Sequence, residues 1–139
     1  MSGKSQIYCN SRNIKTKGGN CKTKNTIYTA RCKICSLHYV GKSTQELRGR
    51  INGHRSAFMK SLSKHRDANF KIDDSNCLGA HIILSHSKSQ PNDFDLNYEF
   101  SIVEVTTSGK LKYTEQKYIE LCNTLTPMGL NNMNSILPR

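Results

Sequence analysis

The sequence predicts an α+β domain, a small antiparallel sheet of about three strands flanked by helices. Two short segments of alternating polarity lie close together, at residues 25–31 and 37–41. A third, at residues 96–106, stands well apart from them. Stretches of helical periodicity fill the interval and follow the last strand, giving the order β-β-α-α-β-α. The 139 residues suit one domain with a single core, and neither an internal repeat nor a linker divides them.

Residues 1–24 are rich in Lys, Asn, Ser and Gly, include Gly18-Gly19-Asn20, and read as a loose basic arm. Residues 25–134 form the domain and 135–139 a short tail. Within the domain, Cys32-Lys33-Ile34-Cys35 turns the chain between the first two strands. Ser43-Thr44-Gln45-Glu46 has the pattern of a capping box, a hydroxyl and a carboxylate satisfying the free amides of a helix start. That helix is expected to run to about residue 60 or slightly beyond. Residues 78–85 are apolar enough for a second helix, and residues 87–95, with Pro91, read as a loop. The last helix covers residues 110–123, and Pro127-Met128-Gly129 closes it.

Hydrophobic residues make up only 35% of the chain and there is no tryptophan, so the core is modest and an added cross-link such as a metal would help hold it. No apolar run is long enough to span a membrane, and the residues after Met1 do not resemble a secretory signal. The net charge of +11 is unevenly distributed. Residues 1–24 carry Lys and Arg with no acid, and residues 42–66 set Lys42, Arg48, Arg50, Arg55, Lys60, Lys64 and Arg66 against Glu46 alone. Such polarisation suits a polyphosphate partner, with a merely solvated basic surface as the alternative.

Two polar residues occupy positions where apolar ones belong. On the first helix, Leu47, Ile51 and Phe58 fall within about 40° of one another, and His54 falls inside the same stripe with Arg50 at its edge. On the last helix, Leu111, Tyr118, Ile119 and Cys122 form a stripe with Glu115 in its middle. An inward carboxylate must be protonated, paired or bound to a metal, because burying it unpaired costs several kcal/mol, roughly. A helix-end side chain escaping to solvent is the alternative for Glu115, and a hydrogen-bonded core histidine is the alternative for His54. Taken together they suggest one shared polar site of Tyr28, Tyr39, Arg50, His54 and Glu115.

The six cysteines are irregularly spaced, which favours metal ligation over a disulfide framework. Cys32-x2-Cys35 is a half-site for tetrahedral zinc, and His81-x4-His86 is the best candidate for the other half, with Cys77 a rival ligand. Four protein ligands leave no open position, so such a zinc would be structural. It would clamp the hairpin onto the second helix across a long loop. Cys9 and Cys21 are left open among ligand, disulfide and idle thiol.

These residues together resemble a GIY-YIG endonuclease domain. Thr26-Ile27-Tyr28 stands for its first strand motif and Tyr39-Val40-Gly41 for its second. Arg50 and His54 follow a turn apart on the next helix, then Glu115-Gln116-Lys117-Tyr118-Ile119 as the glutamate helix and Gly129-Leu130-Asn131 as the terminal segment. The nuclease domains of Penelope-like retroelements are similar in more detail. They insert a CxxC between the motifs, add a histidine pair downstream, and carry a run like Leu47-Arg48-Gly49-Arg50-Ile51-Asn52 before the histidine. Thr26 replaces the glycine of the first motif, and the gap from Gly41 to Arg50 is one residue longer than in many relatives, which leaves Arg48 a minor rival for the catalytic arginine, although the Arg50–His54 spacing favours Arg50.

The resemblance implies a metal-dependent DNA nick that leaves a 3′-hydroxyl and a 5′-phosphate. Magnesium or manganese would sit on Glu115, Arg50 would neutralise phosphate charge, and Tyr28 would activate water with Tyr39 orienting it. His54 is an alternative base, and Asn131 would position the phosphate or the glutamate helix. Lys42, Arg48 and Arg55 are the candidate DNA contacts. It further implies a reverse transcriptase domain as a partner in a parent polyprotein. A nuclear site of action is expected from the DNA substrate and the basic arm, and no membrane association is expected from the lack of a long apolar run. A catalytically inactive, zinc-stabilised nucleic-acid-binding or interaction module is the alternative.

Overall fold

The structure is a computed structural model that describes residues 19–132 in full, and before them the backbone of two strands, β1 (Ser5–Cys9) and β2 (Arg12–Thr16). The tail at 135–139 and the side chain of Cys9 lie outside the described residues. The centre of the fold is a hairpin of β3 (Thr26–Cys32) and β4 (His38–Ser43), with β5 (Tyr98–Val105) antiparallel along the other side of β3. These three make the antiparallel sheet that the alternation predicts. β2 adds to β5 in parallel and β1 pairs antiparallel with β2, so the order is β1-β2-β5-β3-β4. The segment read as a loose arm therefore contains two strands. Its Lys and Asn content argues against strand, but strand preference depends on context, and the free edge of β5 supplies that context.

Helices cover both faces of the antiparallel part. On one side lie α1 (Leu47–Lys64), α2 (Cys77–His86) and the short α3 (Asp93–Asn97). Leu47, Ile51 and Phe58 of α1 pack with Leu78 and Ile82 of α2, Phe94 of α3, and Tyr28, Tyr39, Phe100 and Ile102 of the sheet. On the other side α4 (Leu111–Cys122) packs Leu111 and Ile119 on Ile27 and Val40. The strand period of two divides the hairpin between these layers, since Tyr28 and Ile27 point to opposite faces.

Two local expectations are corrected. α3 occupies part of the stretch read as a loop, and β5 starts only at Tyr98. A five-residue helix is too short to show a period, and Phe94, fully buried, holds it in place. The capping box also does not form. Ser43 pairs across from Thr26 as the last residue of β4, and its hydroxyl donates to the Gln45 carbonyl. α1 starts later, and its first amides are taken by backbone: Leu47 N–H donates to Thr23 O at 3.2 Å and Arg48 N–H to Cys21 O at 2.8 Å. The carbonyls of the 21–23 loop thus do the work assigned to side chains.

α1 and α2 touch at Gly79, where a Cβ would stand 2.7 Å from the Phe58 Cα. That contact is with backbone and cannot yield by a rotamer change. Gly79→Ala gains helix propensity of up to about 1 kcal/mol but forces the two helices apart. The expected net effect is a loss of about 1–3 kcal/mol, read as a lower urea midpoint with an unchanged slope.

Candidate active site and metal centre

The site begins with a pairing in the hairpin. Tyr28 on β3 lies directly across from Gly41 on β4, and the phenol ring crosses over the glycine. A Cβ at Gly41 would stand 2.5 Å from the Tyr28 hydroxyl oxygen and 2.7 Å from Tyr39 Cε2. Only glycine leaves that space. Between Ile27 and Tyr28 the register with β5 slips by one residue, a bulge of the kind that re-aims a side chain beside a site.

The Tyr28 hydroxyl then meets His54 Nε2 at 2.6 Å. Tyr28 is fully buried and His54 is 1% exposed. Burial, reinforced by the Arg50 charge, pushes the imidazole pKa down to about 3, so the ring is neutral and can accept a hydrogen bond from the phenol. Burial raises the Tyr28 phenol above its ordinary value, with Arg50 alongside opposing the rise and Glu115 adding to it. Tyr39 is likewise raised by burial, and its ring stands edge-on to His54 with centroids 5.5 Å apart. Burial opposes the Arg50 charge, but Tyr28, Tyr39 and Asp74 outweigh it and hold the guanidinium pKa above its usual value.

Glu115 is 5% exposed and turned inward, not to bulk water. Its Oε1 accepts from Lys42 Nζ at 3.3 Å. Burial raises its pKa, Lys42 opposes that, and Asp74 adds to it. Lys42, Arg50, Asp74 and Glu115 line one open cleft of about 280 Å³ at the β4 edge. Arg48 does not take part. It pairs with Glu46 at 2.6 Å beside a separate surface cleft, so Arg50 is the arginine that shares a cleft with Glu115.

Asn131 is fully buried, and its side-chain amide is hydrogen-bonded within the protein. Its Oδ1 accepts from Val40 N–H at 2.8 Å and from the Thr124 hydroxyl at 2.7 Å, and its Nδ2 donates to Val40 O at 2.9 Å. It therefore ties β4 to the chain just beyond α4, which positions the glutamate helix. The three candidate DNA contacts are engaged within the protein: Lys42 by Glu115, Arg48 by Glu46 and Arg55 by Asp95 at 3.1 Å. Asp74 was missed by sequence reasoning, because it lies in an irregular loop where no period marks an inward position.

A group of four side chains that could hold a metal lies at the other end of the hairpin. Cys32 Sγ is 3.5 Å from His86 Nε2, Cys35 Sγ is 3.3 Å from His81 Nε2, and the two Nε2 atoms are 3.1 Å apart. All four ligand atoms lie within 4.8 Å of one another. Tetrahedral zinc needs about 3.5 Å between sulfur and nitrogen and about 3.3 Å between nitrogens, so the group can hold a metal such as zinc. The chain makes this possible at both sides. Ser36, with φ +66°, folds the knuckle so that its N–H donates to Cys32 O, while Ser87 in the left-handed region ends α2 right after His86. Cys77 is not a ligand: it is buried in the core, its Sγ faces Asp74 O at 3.9 Å, and burial pushes its thiol up to about 12. Cys21 is disulfide-bonded, and Cys122 is a free, exposed thiol.

No protein-family model matches this chain, and no curated protein or solved structure matches it either. No helix among the described residues is long and apolar enough to cross a membrane.

The buried neutral His54 makes stability depend on pH. Its folded pKa lies below the unfolded value of 6.5, so between those values the unfolded chain holds a proton that the folded one does not. The contribution is complete above pH 6.5 and is lost as pH falls towards 3, by a few kcal/mol at about the lower end. His54→Gln removes the titrating group while keeping an acceptor for Tyr28. Urea midpoints from pH 7 to pH 4 are expected to fall less steeply for the variant, and equal slopes would contradict the assignment.

Proposed function

We propose that this chain is a metal-dependent DNA endonuclease of the GIY-YIG type, similar to those of Penelope-like retroelements. The observation that carries the reading is the convergence of Arg50 and Glu115 on one cleft next to the buried Tyr28–His54 pair. A basic chain with a cation-rich α1 supplies the affinity for polyphosphate.

Glu115 offers a hard oxygen donor at the cleft and is the residue that would hold magnesium or manganese, with Asp74 the other carboxylate in reach of the same space. Such an ion supplies Lewis-acid polarisation of the phosphate and stabilises the leaving oxygen. The protein's own groups do the rest. A water oxygen bonds to phosphorus and the bond to the 3′ oxygen breaks. The water proton passes to the Tyr28 oxygen as the phenol proton moves to His54 Nε2, and the departing 3′ oxygen takes up a proton from solvent at the open cleft. Burial opposes a standing tyrosinate and a standing imidazolium alike, so the relay has to pass the proton on in step with attack rather than store it on either ring. Arg50 offsets charge on the non-bridging oxygens, and Tyr39 holds the imidazole ring in place. The products are a 5′-phosphate and a 3′-hydroxyl, which can prime reverse transcription within a larger retroelement protein acting in the nucleus. The four-ligand centre holds zinc in a structural role.

One observation favours a second reading. Lys42 already neutralises Glu115, as in a zinc-stabilised nucleic-acid-binding module without catalysis. Nicking of supercoiled plasmid separates the two. Glu115→Ala and Arg50→Ala should each lower the magnesium-dependent rate by about 100-fold or more, with unchanged circular dichroism. No nicking by the unaltered protein with either metal would favour the binding module.

Zinc is checked separately. Elemental analysis should find about one atom per chain, lost on Cys32→Ser with Cys35→Ser, together with a lower melting temperature.

A further inference from the structure

A second cleft, of about 500 Å³, adjoins the first and shares Arg50 with it. One wall is α1, which presents Arg50, Gly53, Ala57, Lys60 and Lys64 at alternating spacings of three and four, a single stripe on the helix. The other wall is the loop before α2, which contributes Phe70 and Asn76. None of the residues lining it is acidic. Gly53 and Ala57 keep the floor low, and Lys60 and Lys64 stand exposed at the far end. Phe70 is half-buried and is the aromatic side chain of this cleft.

A track of cations ending at Arg50 fits a phosphate backbone. The span from Arg50 to Lys64 along the helix is about 21 Å, several nucleotides in length. An aromatic ring within the track has a more specific meaning. A duplex keeps its bases stacked inside and cannot offer one to a ring on a groove wall, whereas an unpaired base presents its face. Volume agrees, since the cleft has room for a base.

We propose that this groove binds an unpaired stretch of the nucleic-acid substrate, with a base stacked on Phe70 and its phosphates held by Lys60 and Lys64, leading the strand to Arg50. The inference rests on the nuclease reading for the meaning of the Arg50 end. It adds a preference for DNA that is single-stranded, flapped or locally opened beside the cleavage position. Ser75 and Asn76 flank the groove, their side chains bonded to Asp73 and Lys71 so that the loop wall is braced, and Asp74, one residue earlier, faces the first cleft. One loop thus serves both.

The test uses the full chain without added divalent ion, so that binding is read without cleavage. Two fluorescent DNAs of equal phosphate number are compared, a blunt hairpin duplex and a shorter hairpin carrying an unpaired thymidine tail. The unaltered protein should bind the tailed DNA more tightly. Phe70→Ala should weaken tailed binding about tenfold and blunt binding less than about twofold, while Phe70→Trp retains the preference. Lys60→Ala with Lys64→Ala, both exposed and safe for folding, should weaken tailed binding and lower its log–log salt slope by about 1.4. Equal affinity for both DNAs, or equal losses on both in the variants, would overturn the groove. If tail-selective binding persists in a protein that never nicks, the enzyme reading alone falls. If nicking is normal and Phe70→Ala is indifferent to the tail, the groove alone falls.

Discussion

The Asn131 side chain holds the edge of the sheet, and the geometry of the site depends on it. β4 is an edge strand, and its outward N–H and C=O at Val40 would otherwise meet solvent or a foreign strand. Asn131 takes both, as one residue of a neighbouring strand would, and adds a third bond to the Thr124 hydroxyl. Its backbone closes the arrangement, donating to Thr124 O and accepting from Thr126 N–H. Val40 stands between Tyr39 and Gly41, and Thr124 follows the end of α4. One buried amide therefore fixes the strand that carries the aromatic half of the site to the helix that carries its carboxylate.

With that distance fixed, the sheet itself divides the chemistry. Tyr28 and His54 lie on the α1 face, dry and packed among aromatic rings. Glu115 comes from the α4 face and reaches the cleft round the edge of β4, accompanied by Lys42. Burial has opposite consequences on the two sides. It removes the charge from His54, leaving a neutral acceptor, and it makes an unpaired Glu115 carboxylate costly, which is why a cation accompanies it. A divalent ion at Glu115 would serve the same electrostatic need as Lys42, with more charge and open positions for ligands. Lys42 is 38% exposed at its side chain, so its end of the pair faces the open cleft.

Much of this was legible where periodicity speaks. His54 and Glu115 stand out because polar residues occupy the apolar stripe of a helix, and both are buried as the stripe requires. The hairpin, β5 and three of the helices follow from alternation and from the 3.6-residue period. Features lacking a period were not legible. α3 is too short, Asp74 sits in an irregular loop, and β1 and β2 depend on an edge that only the folded sheet provides. The capping box failed for another reason. Its local pattern was present, but the strand claimed Ser43 and distant carbonyls claimed the amides. Between Arg48 and Arg50, the spacing to His54 already favours Arg50, and it is Arg50 that shares a cleft with Glu115.

The metal centre and the cleft are held by different parts of one hairpin. Cys32 lies four residues from Tyr28, about 13 Å along an extended strand. At the Cys32 end, a metal on the four ligands would fix the knuckle to α2 through His81 and His86, closing a loop of 45 intervening residues after Cys35. Loop-closure entropy grows only logarithmically with length, so a ligand-bound clamp over so long a span outweighs the closure cost easily. At the Gly41 end, Asn131 provides the restraint without any metal. Loosening the knuckle would therefore free α2 and the loop before it, including Asp74 and Phe70, before it disturbed the Tyr28–Gly41 pair. A metal bound at the four ligands would thus bear mainly on the walls of the two clefts, while the Tyr28–Gly41 pairing is secured by the sheet.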